Sequence, residues 1–152
     1  MEAEAKLQQY MAAHTMPGTF VRFAASCHTA EEAARAAGTT IDEIVKNVCL
    51  IGGGWLIVAI VMGRDRASTT RIAELLGIER PRPAAAEEIL MKTGYPAGGV
   101  PSFGYEATFL IDANVMERPL VYTSGGSDRS LVRIAPADLQ KANGAAVARI
   151  RK

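Results

Sequence analysis

The spacing of apolar residues in the first quarter of the chain predicts two helices separated by a strand. Apolar side chains recur at helical spacing over residues 2–14, and β-branched and aromatic residues over 19–24 are typical of a strand. A run rich in alanine and glutamate over 31–37 predicts the second helix. Thr29 and Glu32 have the spacing of a capping box, so the sequence itself defines where this helix begins.

The pattern in the centre of the chain predicts a β-hairpin. Residues 43–51 are rich in β-branched side chains, three glycines follow at 52–54, and a second apolar run extends over 55–62. Two runs of strand length across a glycine turn are typical of a hairpin. Every residue over 56–62 is apolar, which predicts a strand that is buried on both faces.

The second half of the chain continues the mixture of helices and strands with short connections. The predicted helices are 69–76, 84–93 and 136–143, and the predicted strands are 108–112, 120–123, 130–134 and 147–150. Short turns between strands favour antiparallel pairing, so we predict an α/β fold of the α+β kind, with a mixed, largely antiparallel central sheet flanked by helices. No repeat or linker divides the chain, and we predict a single domain over residues 1–152.

Composition and charge narrow the range of functions. With 49% hydrophobic and 22% charged residues the chain resembles a globular protein, and no apolar run reaches the length of about 20 residues that a membrane span needs. The first ten residues are polar and charged, unlike a signal peptide, and we expect a cytoplasmic protein without a membrane partner. A net charge of only +1 argues against a protein that wraps long nucleic acid and predicts contact with a few phosphates at most.

Lys46 is the first candidate for chemistry, because it stands within an otherwise apolar strand. On a period of two it shares a face with Ile44, Val48 and Leu50. Burial of an unpaired ammonium group is costly, so this side chain must extend to solvent, pair with a carboxylate, or line a cavity that receives an anion. The residues alone favour extension to solvent, with an anion-binding cavity as the alternative.

Two glycine-rich segments, 98–104 and 124–127, are the next candidates. Glycine lets the backbone approach a ligand closely, and its exposed N–H groups can bind anions or stabilise an oxyanion. Ordinary tight turns are the alternative, and for each segment taken alone they are favoured. The chain contains neither a Walker lysine motif nor a GxGxxG motif, which argues against a nucleotide cofactor.

The histidines and cysteines give weak signals. His14 and His28 lie in no serine hydrolase motif, and His28 precedes a helix cap, where a histidine is more often solvated than catalytic. Cys27 beside it is a candidate nucleophile, but adjacency in sequence does not establish geometry, and a thiol enzyme is a minor alternative. Cys27 and Cys49 are in neither a CxxC motif nor a spacing typical of metal ligands. We therefore expect reduced thiols, no metal and no cofactor.

Four segments, taken in order, resemble the YbaK/prolyl-tRNA-synthetase-associated family of aminoacyl-tRNA editing domains. They read HTAEEAA at 28–34, IVKNV at 44–48, GGVPSFG at 98–104 and YTSGGS at 122–127. Each motif is weak by itself, whereas the four in this order are much more specific. The resemblance extends over roughly residues 15–145 and implies a compact domain with a pocket for the aminoacylated 3′ end of tRNA.

The resemblance further implies a trans-acting deacylase that hydrolyses the ester of mischarged tRNA without a protein nucleophile. A water molecule or a group on the substrate attacks, helped by the terminal ribose hydroxyl. Lys46 would contact the terminal adenosine and its phosphate, and Gly98 and Gly99 would place backbone groups near the ester carbonyl. The candidate substrate-binding residues are Val100, Pro101, Ser102, Phe103, Thr123, Ser124, Gly125 and Gly126. The implied partners are aminoacylated tRNA and an aminoacyl-tRNA synthetase, with the protein a monomer or weak dimer.

Three departures from the family pattern concern the amino acid removed more than the fold. Many relatives have threonine or serine where this chain has Asn47, and some have a basic residue or histidine where it has Tyr105. Relatives often carry Ser-Pro or Pro-Pro in the loop that here reads VPSF at 100–103. Two alternatives remain open at this point. One is a non-catalytic module that holds tRNA ends or a small anion, and the other is an unrelated hydrolase that acts on simple esters without tRNA.

Overall fold

The computed structural model describes residues 2–152, which form six α-helices and eight β-strands. The helices are α1 (Glu2–Ala13), α2 (Ala30–Ala37), α3 (Thr69–Leu76), α4 (Ala86–Thr93), α5 (Ala113–Met116) and α6 (Pro136–Asn143). The strands are β1 (Thr19–Arg22), β2 (Val45–Gly52), β3 (Trp55–Met62), β4 (Arg82–Pro83), β5 (Thr108–Asp112), β6 (Val121–Ser124), β7 (Ser130–Ile134) and β8 (Ala146–Ala148).

The strands form two sheets. One has the order β1-β7-β6 and is antiparallel throughout. The other has the order β4-β2-β3-β5-β8, in which β4, β2 and β3 pair antiparallel while β3, β5 and β8 pair parallel. The predicted α+β class with mixed, largely antiparallel pairing is confirmed. The sheet is divided in two, however, because among residues 2–152 a single bridge, between Tyr122 of β6 and Ile44 just before β2, is the only pairing between the two sheets.

The structure confirms the predicted hairpin and its burial. β2 and β3 pair from Val45 with Met62 to Gly52 with Trp55, and every residue from Leu56 to Met62 is buried. Side chains on the two faces of β3 enter two different hydrophobic clusters, so this strand is the centre of the core. Full burial of one such side chain contributes about 1.5–3 kcal/mol to the free energy of unfolding.

The predicted start of α2 is also confirmed. The Thr29 hydroxyl accepts a hydrogen bond from the Glu32 N–H at 3.1 Å, and the Glu32 carboxylate accepts one from the Thr29 N–H at 3.2 Å. The four-residue helix α5 was not predicted. It follows β5 directly because the Asp112 carboxylate accepts a hydrogen bond from the Asn114 N–H at 3.0 Å and so caps its first turn.

Asp112 also fixes the C-terminal segment and is fully buried. Its carboxylate accepts hydrogen bonds from the backbone N–H groups of Ile150 at 2.9 Å and Arg151 at 3.0 Å, and from the Arg151 guanidinium at 2.9 Å. Burial raises the pKa of this carboxyl, but the hydrogen bonds together outweigh it, and the net pKa lies below its ordinary value.

The stability of the protein should therefore depend on pH through Asp112. Because its native pKa lies below the unfolded value of about 3.9, the carboxylate stabilises the fold above about pH 4, and this contribution is lost as the pH falls through the native pKa. We expect Asp112→Asn to lower the free energy of unfolding at pH 7 by about 2 kcal/mol. This loss in the free energy of unfolding should become smaller below pH 4, as measured by urea titration. Asp128→Asn, at an exposed carboxylate, is the control, and a deficit that is equal at pH 7 and pH 3 would contradict this role.

Candidate functional site

A cavity of about 430 Å³ lies beside β2, at the junction of the two sheets. Its walls come from the start of α2, from β2, from the glycine loop (residues 98–104) and from the end of β6. Of the predicted site residues, Lys46, Gly98, Val100 and Ser124 line it. A second cavity of the same volume lies between α1 and α6, but none of the predicted site residues line it. The first cavity is therefore the candidate site.

The cavity exists because β2 is an open edge over half of its length. β4 pairs with β2 only at Leu50 and Ile51, and the bridge to β6 involves Ile44. Between these points no strand in the described part of the chain covers the side of β2 that faces away from β3. Residues of both strand faces, Lys46 and Asn47 among them, consequently line the same space.

Lys46 projects from β2 on the face opposite to Asn47. Val48 and Leu50 on its own face pack into one hydrophobic cluster, whereas Val45 and Cys49 on the other face belong to another, as the alternation predicts. Lys46 is half-buried, lines the cavity, and lies within 4.0 Å of no carboxylate in residues 2–152. Of the three arrangements that the sequence allowed, pairing with a carboxylate is therefore excluded among the described residues, and Lys46 lies in the wall of a cavity.

Gly98 and Gly99 occupy different positions although they are adjacent. Gly98 lines the cavity opposite His28, with a φ of +86° that favours glycine. Gly99 is buried behind it, and its N–H donates a hydrogen bond to the Pro96 carbonyl at 2.9 Å. A Cβ atom at Gly99 would lie 2.7 Å from the Ser127 nitrogen and 2.8 Å from the Gly126 carbonyl carbon. Only glycine therefore allows the glycine loop to lie against the turn after β6.

Asn47 joins the glycine loop to both sheets through a buried polar network. Its side-chain amide donates hydrogen bonds to the Val100 carbonyl at 2.8 Å and to the Thr123 hydroxyl at 2.9 Å. The Ser102 hydroxyl donates to Asn47 Oδ1 at 2.6 Å and lies 2.7 Å from the Thr123 hydroxyl. Ser102 and Thr123 are both fully buried, so water cannot replace these contacts. The network fixes the position of Val100 relative to β2.

Ser102→Ala should destabilise the protein by about 1–3 kcal/mol, since it removes the donor to Asn47 Oδ1 and one of the two buried partners of the Thr123 hydroxyl. Urea unfolding measures this cost. Ser26→Ala is the control, because the Ser26 hydroxyl makes only two long contacts near the surface: it donates to the Glu32 carboxylate and accepts from the His28 N–H, each at 3.3 Å. A loss at Ser102 no larger than that at Ser26 would mean that the network does not hold the glycine loop.

A second buried network holds the turn that follows β6. Glu4 of α1 is only 4% exposed, and its carboxylate accepts hydrogen bonds from the Ser127 hydroxyl at 2.5 Å and from Arg22 at 3.2 Å. Burial raises the pKa of Glu4, but the bond from Ser127 and the charge of Arg22 outweigh it and leave a net lowering. Helix α1 thereby supports the turn against which Gly99 packs.

The remaining predicted residues lie behind the cavity wall. Phe103 is fully buried and packs against Tyr10 of α1, and the Pro101 carbonyl accepts a hydrogen bond from the Tyr105 hydroxyl at 2.6 Å. Gly125 and Gly126 are buried in the turn, where Gly126 has a φ of +97°. The structure thus brings all the predicted segments together, but it divides them into residues that line the cavity and residues that hold it in shape.

Three contributors were not found from the sequence. His28 is exposed, as expected, yet it also lines the cavity, because the capping box of α2 places it opposite Gly98. Asn47 and Glu4 act through long-range hydrogen bonds that no local pattern reveals. For Asn47, the available signals were its position beside Lys46 in an otherwise apolar strand and its departure from the threonine or serine of many relatives.

Cys27 and Cys49 both line the cavity with buried thiols. Burial raises the pKa of Cys49 to about 11. The pKa of Cys27 is raised by burial and by the nearby charges of Asp128 and Glu32. A thiol whose pKa is raised is protonated at neutral pH and is a poor nucleophile. Within residues 2–152, no group of three or more His, Cys, Asp or Glu side chains could hold a metal ion, and no helix is long and apolar enough to cross a membrane.

A family model and one curated relative match this chain over most of its length. The family model described as the aminoacyl-tRNA editing domain matches residues 24–142. YwhH, an uncharacterized protein of Bacillus subtilis (strain 168), is 26% identical over 122 residues, which cover 78% of this chain and 77% of YwhH.

Solved structures with the same fold cover nearly the whole chain. A proposed trans-editing enzyme for prolyl-tRNA synthetase superposes with a TM-score of 0.91 at 29% identity, covering 100% of this chain and 98% of that one. The hypothetical protein APE2540 superposes with a TM-score of 0.89 at 29% identity, covering 97% and 99% of the two chains.

Proposed function

This chain belongs to the family of aminoacyl-tRNA editing domains, and from that premise we propose that it is a trans-acting deacylase that hydrolyses the ester bond of mischarged tRNA. One observation carries the proposal. Lys46, Gly98, Val100 and Ser124 come from three separate parts of the chain and line one cavity of about 430 Å³. That volume lies within the range of about 300–1,000 Å³ found for small-molecule sites, so an acylated terminal nucleotide can occupy it.

Lys46 is the proposed partner of the terminal phosphate. Its ammonium group has no carboxylate partner among the described residues, and the first turn of α2 lines the same cavity with its partial positive charge. Glu31 in that turn adds one negative charge to the wall. A single lysine that meets one or two phosphates is consistent with a net charge of only +1, because a tight grip on the tRNA body would need many more cations.

The glycine loop is the proposed binding site for the ester carbonyl. Within residues 2–152 the N–H groups of Gly98 and Val100 donate to no backbone carbonyl, whereas the N–H of Gly99 is bound to Pro96. Donors that are fixed in place stabilise the negative charge that develops on the carbonyl oxygen as water attacks. Gly99 has a different role in this proposal. Because it has no side chain, the glycine loop can pack against the turn after β6, and this packing positions the N–H groups of Gly98 and Val100.

Water is the proposed nucleophile, assisted by the terminal ribose hydroxyl. With a pKa of about 11, roughly 1 in 10,000 Cys49 thiols is ionised at pH 7, too few for a thiolate mechanism. An aminoacyl ester is already activated, and orientation beside an oxyanion site can accelerate its hydrolysis without a strong base. The ester then breaks between the carbonyl carbon and the ribose oxygen, which gives the free amino acid and intact tRNA.

Single-turnover deacylation tests the proposal. We would measure hydrolysis of alanyl-, cysteinyl-, seryl- and prolyl-tRNA by the purified protein, beginning with mischarged tRNA for proline because the similar structure is a proposed trans-editing enzyme for prolyl-tRNA synthetase. Acceleration of at least one mischarged species over buffer is expected. Binding without hydrolysis would instead support a module that holds tRNA ends, and hydrolysis of simple esters alone would support an unrelated hydrolase. Either result would overturn the deacylase proposal.

A further inference from the structure

We propose that the open edge of β2 is the subsite for the α-ammonium group of the substrate, with the backbone carbonyl of Asn47 as its acceptor. This inference rests on the proposed function and specifies which part of the aminoacyl ester the strand recognises. The substrate class is then esters of amino acids with an unmodified, charged α-amino group. Esters of hydroxy acids or of N-acylated amino acids lie outside it.

The hydrogen-bond pattern of the hairpin determines which way the Asn47 carbonyl points. The Gly63 N–H donates to the Ile44 carbonyl at 2.7 Å, so Ile44 and every second residue after it direct their backbone groups towards β3. Asn47 and Cys49 must then direct theirs away from β3. The hydrogen bond from the Ala84 N–H to the Cys49 carbonyl, at 3.0 Å on that outer side, agrees with this direction.

The Asn47 carbonyl also lacks a strong donor. The β4 pairing ends at Leu50, and among the described residues the one hydrogen bond to the Asn47 carbonyl comes from the Cys49 thiol, at 3.8 Å. A thiol is a weak donor, and backbone carbonyls in a half-buried setting are almost always hydrogen-bonded by protein, water or ligand. Because Asn47 lines the cavity, a bound substrate can donate this hydrogen bond in place of solvent.

The position of this carbonyl suits an α-ammonium group better than the hydroxyl or phosphate of a nucleotide. The Asn47 side chain is bonded to the Val100 carbonyl at 2.8 Å, so Asn47 lies beside the proposed oxyanion donors. In an aminoacyl ester the amino nitrogen is only two bonds from the carbonyl carbon. Lys46 leaves the strand on the opposite face, which separates the phosphate from the ammonium group.

The cavity wall around Asn47 is apolar. Val45, Cys49, Ile89 and Val100 form it, and they can contact the amino-acid side chain while the carbonyl accepts from the ammonium group. A charge-assisted hydrogen bond in this partly desolvated place is stronger than one in water.

A pair of substrates that differ only in this group tests the subsite. Deamination of alanyl-tRNA with nitrous acid gives lactyl-tRNA, in which a hydroxyl of similar size replaces the ammonium group. Each enzymatic rate is divided by the spontaneous rate of the same ester, because the ammonium group itself activates the ester. We expect kcat/KM for lactyl-tRNA to be about 10- to 100-fold lower, as for the loss of a hydrogen bond to a charged group. Equal values would overturn the subsite and leave the deacylase function standing.

A binding measurement locates the interaction independently of turnover. The probes are 3′-deoxy-3′-(L-alanylamino)adenosine and its L-lactyl counterpart, whose amide bonds resist hydrolysis. In NMR titrations, the alanyl probe should shift the carbonyl carbon of Asn47 and the lactyl probe should not, with Gly38 as a distant reference. No shift at Asn47, or equal shifts with both probes, would overturn the assignment. If neither tRNA ester is hydrolysed, the deacylase proposal fails and this titration alone decides the subsite.

Discussion

Lys46→Ala is expected to lower kcat/KM for the mischarged tRNA by about 10- to 100-fold, mainly through a higher KM. The reason is the loss of a charged hydrogen bond to the terminal phosphate, which contributes about 1.5–3 kcal/mol. Lys46 is half-buried in the cavity wall without a carboxylate partner within residues 2–152, so its removal leaves no unpaired partner in the free protein. The free energy of unfolding should therefore change little.

Lys92→Ala is the matched control for Lys46. Lys92 lies on α4, is exposed, and does not line this cavity, so its removal tests whether any lost positive charge weakens tRNA binding. A reduction of kcat/KM at Lys92 equal to that at Lys46 would indicate general electrostatic attraction rather than a specific phosphate contact. Lys46→Arg separates charge from geometry, because arginine keeps the charge with a larger, planar head group.

Gly99→Ala is expected to reduce kcat by about 100-fold, because displacement of catalytic groups by 1 Å can have an effect of that size. An added Cβ atom would meet three backbone atoms of Gly126 and Ser127 within 2.7–2.8 Å, and backbone atoms cannot rotate away as a side chain can. The glycine loop must then move, and with it Gly98 and Val100. Overpacking of this kind costs about 1–3 kcal/mol, which urea unfolding would detect.

Gly38→Ala distinguishes lost positioning from lost stability. Gly38 ends α2 with a φ of +70°, and a Cβ atom there would meet nothing within 4 Å. Its substitution should cost about 1 kcal/mol of stability through backbone strain and leave kcat unchanged. Full activity in Gly99→Ala would show that the packing of the glycine loop against the turn does not position the reacting groups.

The parts of the fold that could be predicted depend on local rules. Three such features are each formed by residues that are close together in the sequence. They are the capping box at Thr29, the glycine turn of the hairpin and the uninterrupted apolar run of β3. They were predicted correctly because their physical causes are contained in those residues. The family was also evident, since its four motifs are short and occur in a fixed order.

The parts that could not be predicted depend on contacts between distant residues. The bond from Asn47 to Thr123 links positions 76 residues apart, and that from Ser127 to Glu4 links positions 123 apart. No spacing rule connects such pairs. The different positions of Gly98 and Gly99 also depend on a distant contact. The turn at Gly126 and Ser127 buries Gly99 and leaves Gly98 in the cavity wall.

The most direct test of the account is a crystal structure of the protein with 5′-phosphorylated 3′-deoxy-3′-(L-alanylamino)adenosine. We expect the ligand in the cavity beside β2, with its phosphate at the Lys46 ammonium group and its amide carbonyl oxygen facing the N–H groups of Gly98 and Val100. A ligand bound in the cavity between α1 and α6, or one whose acyl group points away from the glycine loop, would contradict it.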